Sequence, residues 1–387
     1  MKTPIYLDNH ATTRMDDRVL AAMLPYYKEN FGNASSRQHS YGWAAEAAVE
    51  KARKEVAELI GAAPGEVVFT SGATESINLG LKGLAEASGR TRTQIITAPT
   101  EHLAVLDTCS RLEEYGFQVT RLPVDAFGLI DPDDVRRAIT PDTLLVSIMM
   151  ANNEIGTVQP VEAIASICRD AGVIFHSDAT QAVPFLPMDV HATGIDLLSL
   201  SAHKFHGPKG VGALYVRSGV EVVPQVDGGG HERGRRSGTV NVPGIVGLGE
   251  AARLVHAEQE GYVPRIRASR DQLVVLLETK CGDVSFNGHP TQRLPNNISA
   301  TFRGVRADRL IIEVRDVAMS TGAACSSASP EPSHVLRAIG LDREGAESTI
   351  RLGLSRFTTE RDIECAADAI AEGVGRIRSK TAVIAQR

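Results

Sequence analysis

Short runs of β-branched and apolar residues alternate with helical patterns through the first half of this chain. The runs Glu66–Thr70, Gln94–Thr97, Gln118–Leu122, Leu144–Met149, Val173–His176, Leu197–Ser199 and Ala213–Val216 read as strands. Helical patterns lie between several of them, at Glu75–Leu84, Ala104–Tyr115 and Val161–Ala171. Earlier, Trp43–Ile60 spaces its apolar residues as an amphipathic helix with Lys and Glu on the other face. Strand, helix, strand in repetition predicts an α/β fold whose mostly parallel sheet is covered on both faces. From about Glu250 the pattern changes. A long helical stretch, Glu250–Leu277, interrupted near Pro264, leads to a strand at Asn297–Phe302, a helix near Asp308–Val314 and a final helix Glu360–Ile377. That half predicts a smaller α+β domain reached through the long helix. Internal repeats and low-complexity tracts are absent.

Composition narrows the class. With 387 residues, 43% hydrophobic and 23% charged, the chain is long enough for a large core and has a globular balance. A net charge of −6 argues against nucleic acid as a direct partner. The start, MKTPIYLDNHATT, has no apolar run of signal-peptide length, and no segment approaches the ~20 apolar residues of a membrane span. The five cysteines (Cys109, Cys168, Cys281, Cys325, Cys365) include no CxxC pair, so neither a disulfide framework nor a zinc ribbon is expected. These features predict a cytoplasmic protein with reduced thiols and no resident metal.

Polar residues collect just past the predicted strands. Asp178 and Gln181 follow one strand and Ser201-Ala-His203-Lys204 the next, which brings a carboxylate and an amine to neighbouring strand ends, where open α/β sheets place ligands. A lysine paired with an aspartate in this setting points to pyridoxal phosphate: the lysine takes the aldehyde as a Schiff base and the aspartate holds the ring nitrogen protonated. Ser201-x-x-Lys204 also matches the nucleophile motif of penicillin-binding hydrolases, but their S-D-N and K-T-G elements are missing. Phe69-Thr-Ser-Gly-Ala-Thr-Glu runs from a strand through a Gly turn into a helix, a phosphate-binding arrangement in which Thr74 adds a hydroxyl; ordinary capping by Thr74 is the competing reading. His102 and Asn152-Asn153 also follow strands and read either as ligand groups or as a packed histidine and a turn. Gly228-Gly-Gly-His-Glu-Arg-Gly-Arg-Arg-Ser-Gly-Thr239 is either a phosphate cradle, a site for an acidic partner, or a flexible surface loop. Last, Ser320–His334 is a run of small residues and two prolines, hence a loop, and it carries Cys325 where a nucleophile or sulfur carrier must sit. The other four cysteines read as structural.

These motifs together resemble the NifS/IscS-type cysteine desulfurases, class V members of the fold-type I pyridoxal-phosphate enzymes. The resemblance rests on YLDNHATT at Tyr6, FTSGATES at Phe69, TEH at Thr100, NNEIG at Asn152, HSDATQ at His176, SAHK at Ser201, GGGHERGRRSGT at Gly228 and STGAACSSASPEPSHVL at Ser320. It covers nearly the whole chain. It implies a large cofactor domain at 16–256 with a mostly parallel seven-stranded sheet. A small domain would comprise 1–15 and 257–387 and carry the cysteine loop at about 318–334. It also implies roles. Lys204 would bind the cofactor aldehyde, Asp178 its ring nitrogen and Gln181 its phenolic oxygen, with His102 stacked on the ring. Ala73 (main chain), Thr74, Ser201 and His203 would hold the phosphate, Thr239 the phosphate of the neighbouring subunit of a homodimer, and Asn153 and Arg351 the carboxylate of L-cysteine. Cys325 would receive the sulfur as a persulfide, pass it to an acceptor protein such as an iron–sulfur scaffold, and transiently ligate a cluster. Transfer RNA thiolation, DNA phosphorothioation and a selenocysteine lyase activity are the alternatives. The chain departs from the pattern in reading GAAC where GSAC is commoner, and its last residues resemble NifS-type rather than IscS-type ends.

Overall fold

The computed structural model describes residues 4–322 and 331–385, with side chains through 380; Cys325 lies outside the described residues. All seven expected strands form, as Val67–Thr70, Gln94–Thr97, Gln118–Arg121, Thr143–Ser147, Ile174–Asp178, Leu197–Ser201 and Gly212–Val216. Across the sheet they stand in the order 67–70, 212–216, 197–201, 174–178, 143–147, 94–97, 118–121. Gly212–Val216 is antiparallel to both of its neighbours, and the remaining pairs are parallel. Two antiparallel steps restore direction, so Val67–Thr70 points the same way as the parallel strands. Six strands therefore present their C-terminal ends to one edge.

Side-chain alternation divides the sheet between two cores. Ile95, Leu145, Leu197 and Leu214 pack with Leu81, Leu84 and Val105 of the helices Ala73–Ala87 and Leu103–Glu114. Their sequence neighbours Ile96, Val146, Leu198 and Tyr215 join the other core with Val49, Val56 and Leu248. Burial on both faces is what made these strands read as continuous apolar runs.

The long helix differs from expectation. It runs unbroken from Val242 to Cys281, with Pro264 inside it. Proline removes the N–H that would serve the carbonyl of Glu260. Both residues are exposed, so water can take that carbonyl's place while the buried stripe through Val255, Tyr262, Ile266 and Leu273 continues. This helix packs on Ser40–Ile60 and on the last helix, Glu360–Ala385. A Cβ on Gly249 would lie 2.6 Å from the backbone of Ala52, so glycine permits that close crossing.

A second, antiparallel sheet has the order 320–321, 349–353, 297–302, 284–286. Only Asn297–Phe302 was expected. Thr349–Gly353 escaped notice because the fully buried Arg351 interrupts its apolar run. The N-terminal pair Ile5–Tyr6 runs parallel to Val317–Ala318. No helix among the described residues is long and apolar enough to cross a membrane.

The Gly/Arg-rich loop is pinned at Glu232. Its carboxylate accepts two hydrogen bonds from Arg53, at 2.7 and 2.8 Å, and one from the Phe69 N–H of the edge strand, at 2.8 Å. Both side chains of the pair are about 95% or more buried, at 5% and 3% relative exposure. Removing one partner strands a buried charge, so Glu232→Ala should lower unfolding free energy by about 3–5 kcal/mol. Glu50, on the exposed flank of the same guanidinium, should cost under about 1 kcal/mol when changed to Ala. Urea denaturation of the two variants checks the contrast; equal losses would contradict it.

Candidate active site

Where the strands end, the chain turns polar, and the turns surround a cavity of about 510 Å³. Its wall includes Ala73 and Thr74 after the first strand, His102 after the second, Asn153 after the fourth, Asp178 and Gln181 after the fifth, and Ser201, His203 and Lys204 after the sixth. Of the residues singled out in the sequence, nine thus share one space. The strands before Gln181 and Lys204 each run two residues further than expected, so Asp178 and Ser201 are themselves the last strand residues.

Lys204 follows Ser201 in a single 3-10 turn and is half-buried. Its Nζ donates to the main-chain oxygens of His10 and Ala11, at 2.6 and 2.8 Å. Asp178 is buried, and its Oδ1 accepts the N–H of Thr180 at 2.9 Å. On the opposite side, helix Ala73–Ala87 begins without a side-chain cap. Its N-cap is Gly72, not Thr74, which lies in the first turn. Gly72 has φ 151°, a conformation that L side chains rarely adopt, and its Cα sits so near Gly212 that a Cβ on the latter would come within 2.7 Å. The helix start is thereby drawn against the sheet beside Ser201 Oγ. Main-chain N–H groups of the first turn and the hydroxyls of Thr74 and Ser201 make a neutral donor set for a phosphate. Glu75 in the same turn accepts from Ser71 N–H at 2.7 Å and from Arg236 at 2.8 Å.

His102 N-caps helix Leu103–Glu114: its Nδ1 accepts the Ala104 N–H at 3.1 Å, so a neutral ring carries its proton on Nε2. His203 pairs Nδ1 with Thr12 Oγ1 at 3.1 Å, and burial, then the Lys204 and Lys209 charges, push its pKa down to about 4. His176, behind Asp178 in the strand, lies between Ser147 Oγ and Ser199 Oγ at 2.8 and 3.0 Å, and burial pushes it to about 4. Glu101 is buried with Oε1 on the Met149 N–H at 2.7 Å and Oε2 without a partner among the described residues. Burial foremost, and the charge of Asp178, hold its carboxyl well above the usual range.

Three singled-out residues stand elsewhere. Thr239 is exposed and outside this wall. Arg351 is buried behind Asn153, donating to its main-chain oxygen at 3.2 Å, to Asp8 at 3.1 Å and to Ser320 Oγ at 3.0 Å. Cys325 falls in the segment left undescribed, but the chain on either side converges on Glu154. Ser333 Oγ donates to its Oε2 at 2.5 Å, and a Cβ on Gly322 would lie 2.2 Å from that same oxygen. Cys109, Cys168 and Cys281 are buried, and burial pushes their thiols to about 12, 12 and 11, which suits structural roles; Cys365 is exposed on the last helix. The described residues offer no cluster of His, Cys, Asp and Glu fit for a metal. Sequence reasoning missed Asp8 and His10, whose signal was their place in a motif, YLDNHATT, that otherwise lacked a structural role.

Comparison with known proteins decides the lineage. The sequence matches the aminotransferase class-V family over residues 5–365. The chain belongs to this family. It is 51% identical over 380 residues to a protein named cysteine desulfurase IscS from Anaeromyxobacter dehalogenans, covering 98% of this chain and 94% of the relative. Among solved structures it is similar to a NifS-like protein, at TM-score 0.90 and 40% identity, over 96% of this chain and 99% of the other. It is also similar to SspA in complex with cysteine, at TM-score 0.82 and 39% identity, over 92% and 99%. The expected membership among NifS/IscS-type cysteine desulfurases is borne out, and with it the α/β fold.

Four histidines around the site (His10, His176, His203, His206) have pKa values pushed by burial to about 3, 4, 4 and 4. In the unfolded chain each takes up its proton near pH 6.5, so between about pH 6.5 and 4 the unfolded state binds more protons. Stability should therefore fall as pH falls, by at most about 1.4 kcal/mol per pH unit for each histidine, with the raised carboxyl of Glu101 offsetting part of the sum. Urea midpoints measured from pH 7 to pH 5 should show this decline; a level profile would contradict it.

Proposed function

We propose that the cavity holds pyridoxal 5′-phosphate and that the protein takes sulfur from L-cysteine, leaving L-alanine and a persulfide on Cys325. The observation that carries this reading is the meeting of an amine, a carboxylate and an uncapped helix start in one cavity. The residues fit that group. Neutral donors at a helix N-terminus suit its phosphate, the buried Thr180 Oγ1 on the wall has no partner among the described residues, and Lys204 and Asp178 suit its aldehyde and ring nitrogen. Ala73, Thr74, Ser201 and His203 would take the phosphate, Gln181 the phenolic oxygen and His102 the ring face. When bound, the cofactor supplies a sink for the electron pair left on the substrate α-carbon.

The chain does the rest. Asn153 and Arg351 would fix the substrate carboxylate, Arg351 through a fork suited to two oxygens. Lys204, tethered at the reacting carbon, would remove the α-proton. His102, with its exchangeable proton on Nε2, would pass protons between substrate and the Cys325 thiol. The Cys325 thiolate would then attack the substrate sulfur: a sulfur–sulfur bond forms, the carbon–sulfur bond breaks, and its electron pair stays with the carbon that becomes the alanine methyl. Iron–sulfur cluster assembly is the proposed destination of the sulfur, in line with the relatives that bear the IscS name. The proposed division into 16–256 and 1–15 with 257–387 is supported by the separate sheets.

A homodimer is also proposed. Leu24, Tyr27, Phe31, Tyr41 and Trp43 expose between 50% and 66% of their surface close together in sequence, and Thr239 stands outside its own cavity, where it would serve a neighbour's.

Lys204→Ala should lose both the visible band of the bound cofactor and alanine formation. Cys325→Ser should keep the band and lose alanine formation from cysteine by roughly 10³-fold or more. Turnover of cysteine surviving in Cys325→Ser would overturn the persulfide step, and selenium release surviving alone would favour a selenocysteine lyase. Light scattering should give a dimer mass for the parent and a monomer mass for Phe31→Glu/Trp43→Glu, with weaker cofactor binding in the latter.

A further inference from the structure

His10 is buried, 1% exposed, and touches two residues of the cavity wall, Gln181 and Lys204, without lining the cavity itself. Its Nδ1 lies 2.9 Å from Gln181 Oε1 and its Nε2 lies 3.1 Å from Asn297 Nδ2. Which nitrogen bears the proton is decided further out, by groups that cannot change roles. On one side, Arg293, a donor only, gives a hydrogen bond to Asn297 Oδ1 at 3.2 Å, and the Glu154 carbonyl, an acceptor only, takes one from Asn297 Nδ2 at 3.1 Å. Asn297 must therefore point its amide nitrogen at His10 Nε2, which must accept. On the other side, the carbonyl of His10 accepts from Gln181 Nε2 at 3.1 Å, so Gln181 must point its oxygen at His10 Nδ1, which must donate. Both ends require the same neutral tautomer. The cations nearby, Arg351, Lys204 and Arg293, and burial before them, act in the same direction. Glycine at 156 allows Asn297 to sit this close, since a Cβ there would stand 2.6 Å from its Oδ1.

We propose that His10 is a positioning residue: as a neutral imidazole protonated on Nδ1 it locks the Gln181 amide so that only an N–H faces the cavity. The carbonyl of the same residue also receives Lys204 Nζ, so one residue sets the attitude of two wall groups. The consequence for the cofactor rests on the reading given above, in which Gln181 meets the phenolic oxygen; an acceptor there needs a donor, and a flipped amide would present a carbonyl instead.

Two measurements test this. In protein stripped of cofactor, ¹⁵N NMR of labelled histidines should show the His10 signal, identified by its loss in His10→Asn, as the Nδ1-protonated neutral tautomer from pH 8 to pH 5. The other tautomer, or a ring that protonates near pH 6.5, overturns the proposal. In protein titrated with pyridoxal 5′-phosphate, His10→Gln keeps a group where Nε2 stood but none where Nδ1 stood. It should weaken binding roughly tenfold, the scale of one hydrogen bond left unmade. Gln181→Ala should do the same, and the double variant should be no weaker than either single one. His10→Asn, which restores a donor toward Gln181, should recover most of the loss. Additive losses, or equal losses in His10→Gln and His10→Asn, show a merely structural role and overturn the proposal. Failure of the parent protein to bind pyridoxal 5′-phosphate would instead remove the cofactor reading, with the tautomer still decided by the first measurement.

Discussion

The chain's first residues cross the site as a strap, and its backbone holds the two sheets and the lysine together. Leu7 and Asn9 exchange main-chain hydrogen bonds with Gly353 of the small sheet, and Thr13 and Asp16 donate to the carbonyls of His203 and His206 beyond the large sheet. Between these two anchorages the carbonyls of His10 and Ala11 receive Lys204. Past the Ile5–Tyr6 strand the strap has no regular secondary structure, and the site takes several of its backbone groups instead. The same dozen residues therefore align the small sheet's Arg351, through Asp8, with the large sheet's Lys204, through His10.

Neutrality is the second organising constraint. Burial pushes the imidazoles of His176 and His203 down to about 4 and the Glu101 carboxyl well above its usual range, so the groups around the cavity disfavour charge. Burial is the largest cause for each, with the Lys204 and Lys209 charges adding to it at His203 and the Asp178 charge at Glu101. Hydroxyls of Ser147, Ser199 and Thr12 satisfy the imidazoles, and such partners impose direction without adding charge.

Much of this was legible in the sequence because parallel strands buried on both faces announce themselves as apolar runs, and their polar ends mark one edge. That rule drew attention to eight of the nine cavity residues, and Ala73 came with the family resemblance. What resisted reading depended on distance or on solvent. His10 and Asp8 meet partners 171 and 343 positions away, and no local pattern carries such pairings. Pro264 looked like a break because the sequence does not tell which side of a helix faces water. Arg351 hid a strand, since a guanidinium in an apolar run reads as an interruption until its carboxylate partner is known. Glu232 had a faint signal, a lone acid among arginines, and its inward turn explains why a glycine-rich loop keeps a fixed place.

The two ends of the cysteine-bearing segment meet at one carboxylate, that of Glu154, next to Asn153. Residues 322 and 333 are thus clasped to a single side chain, so a change at Glu154 acts on both at once. The carbonyl of the adjacent Asn153 also receives Arg351, which makes residues 153 and 154 one latch between the large sheet's edge and the small sheet.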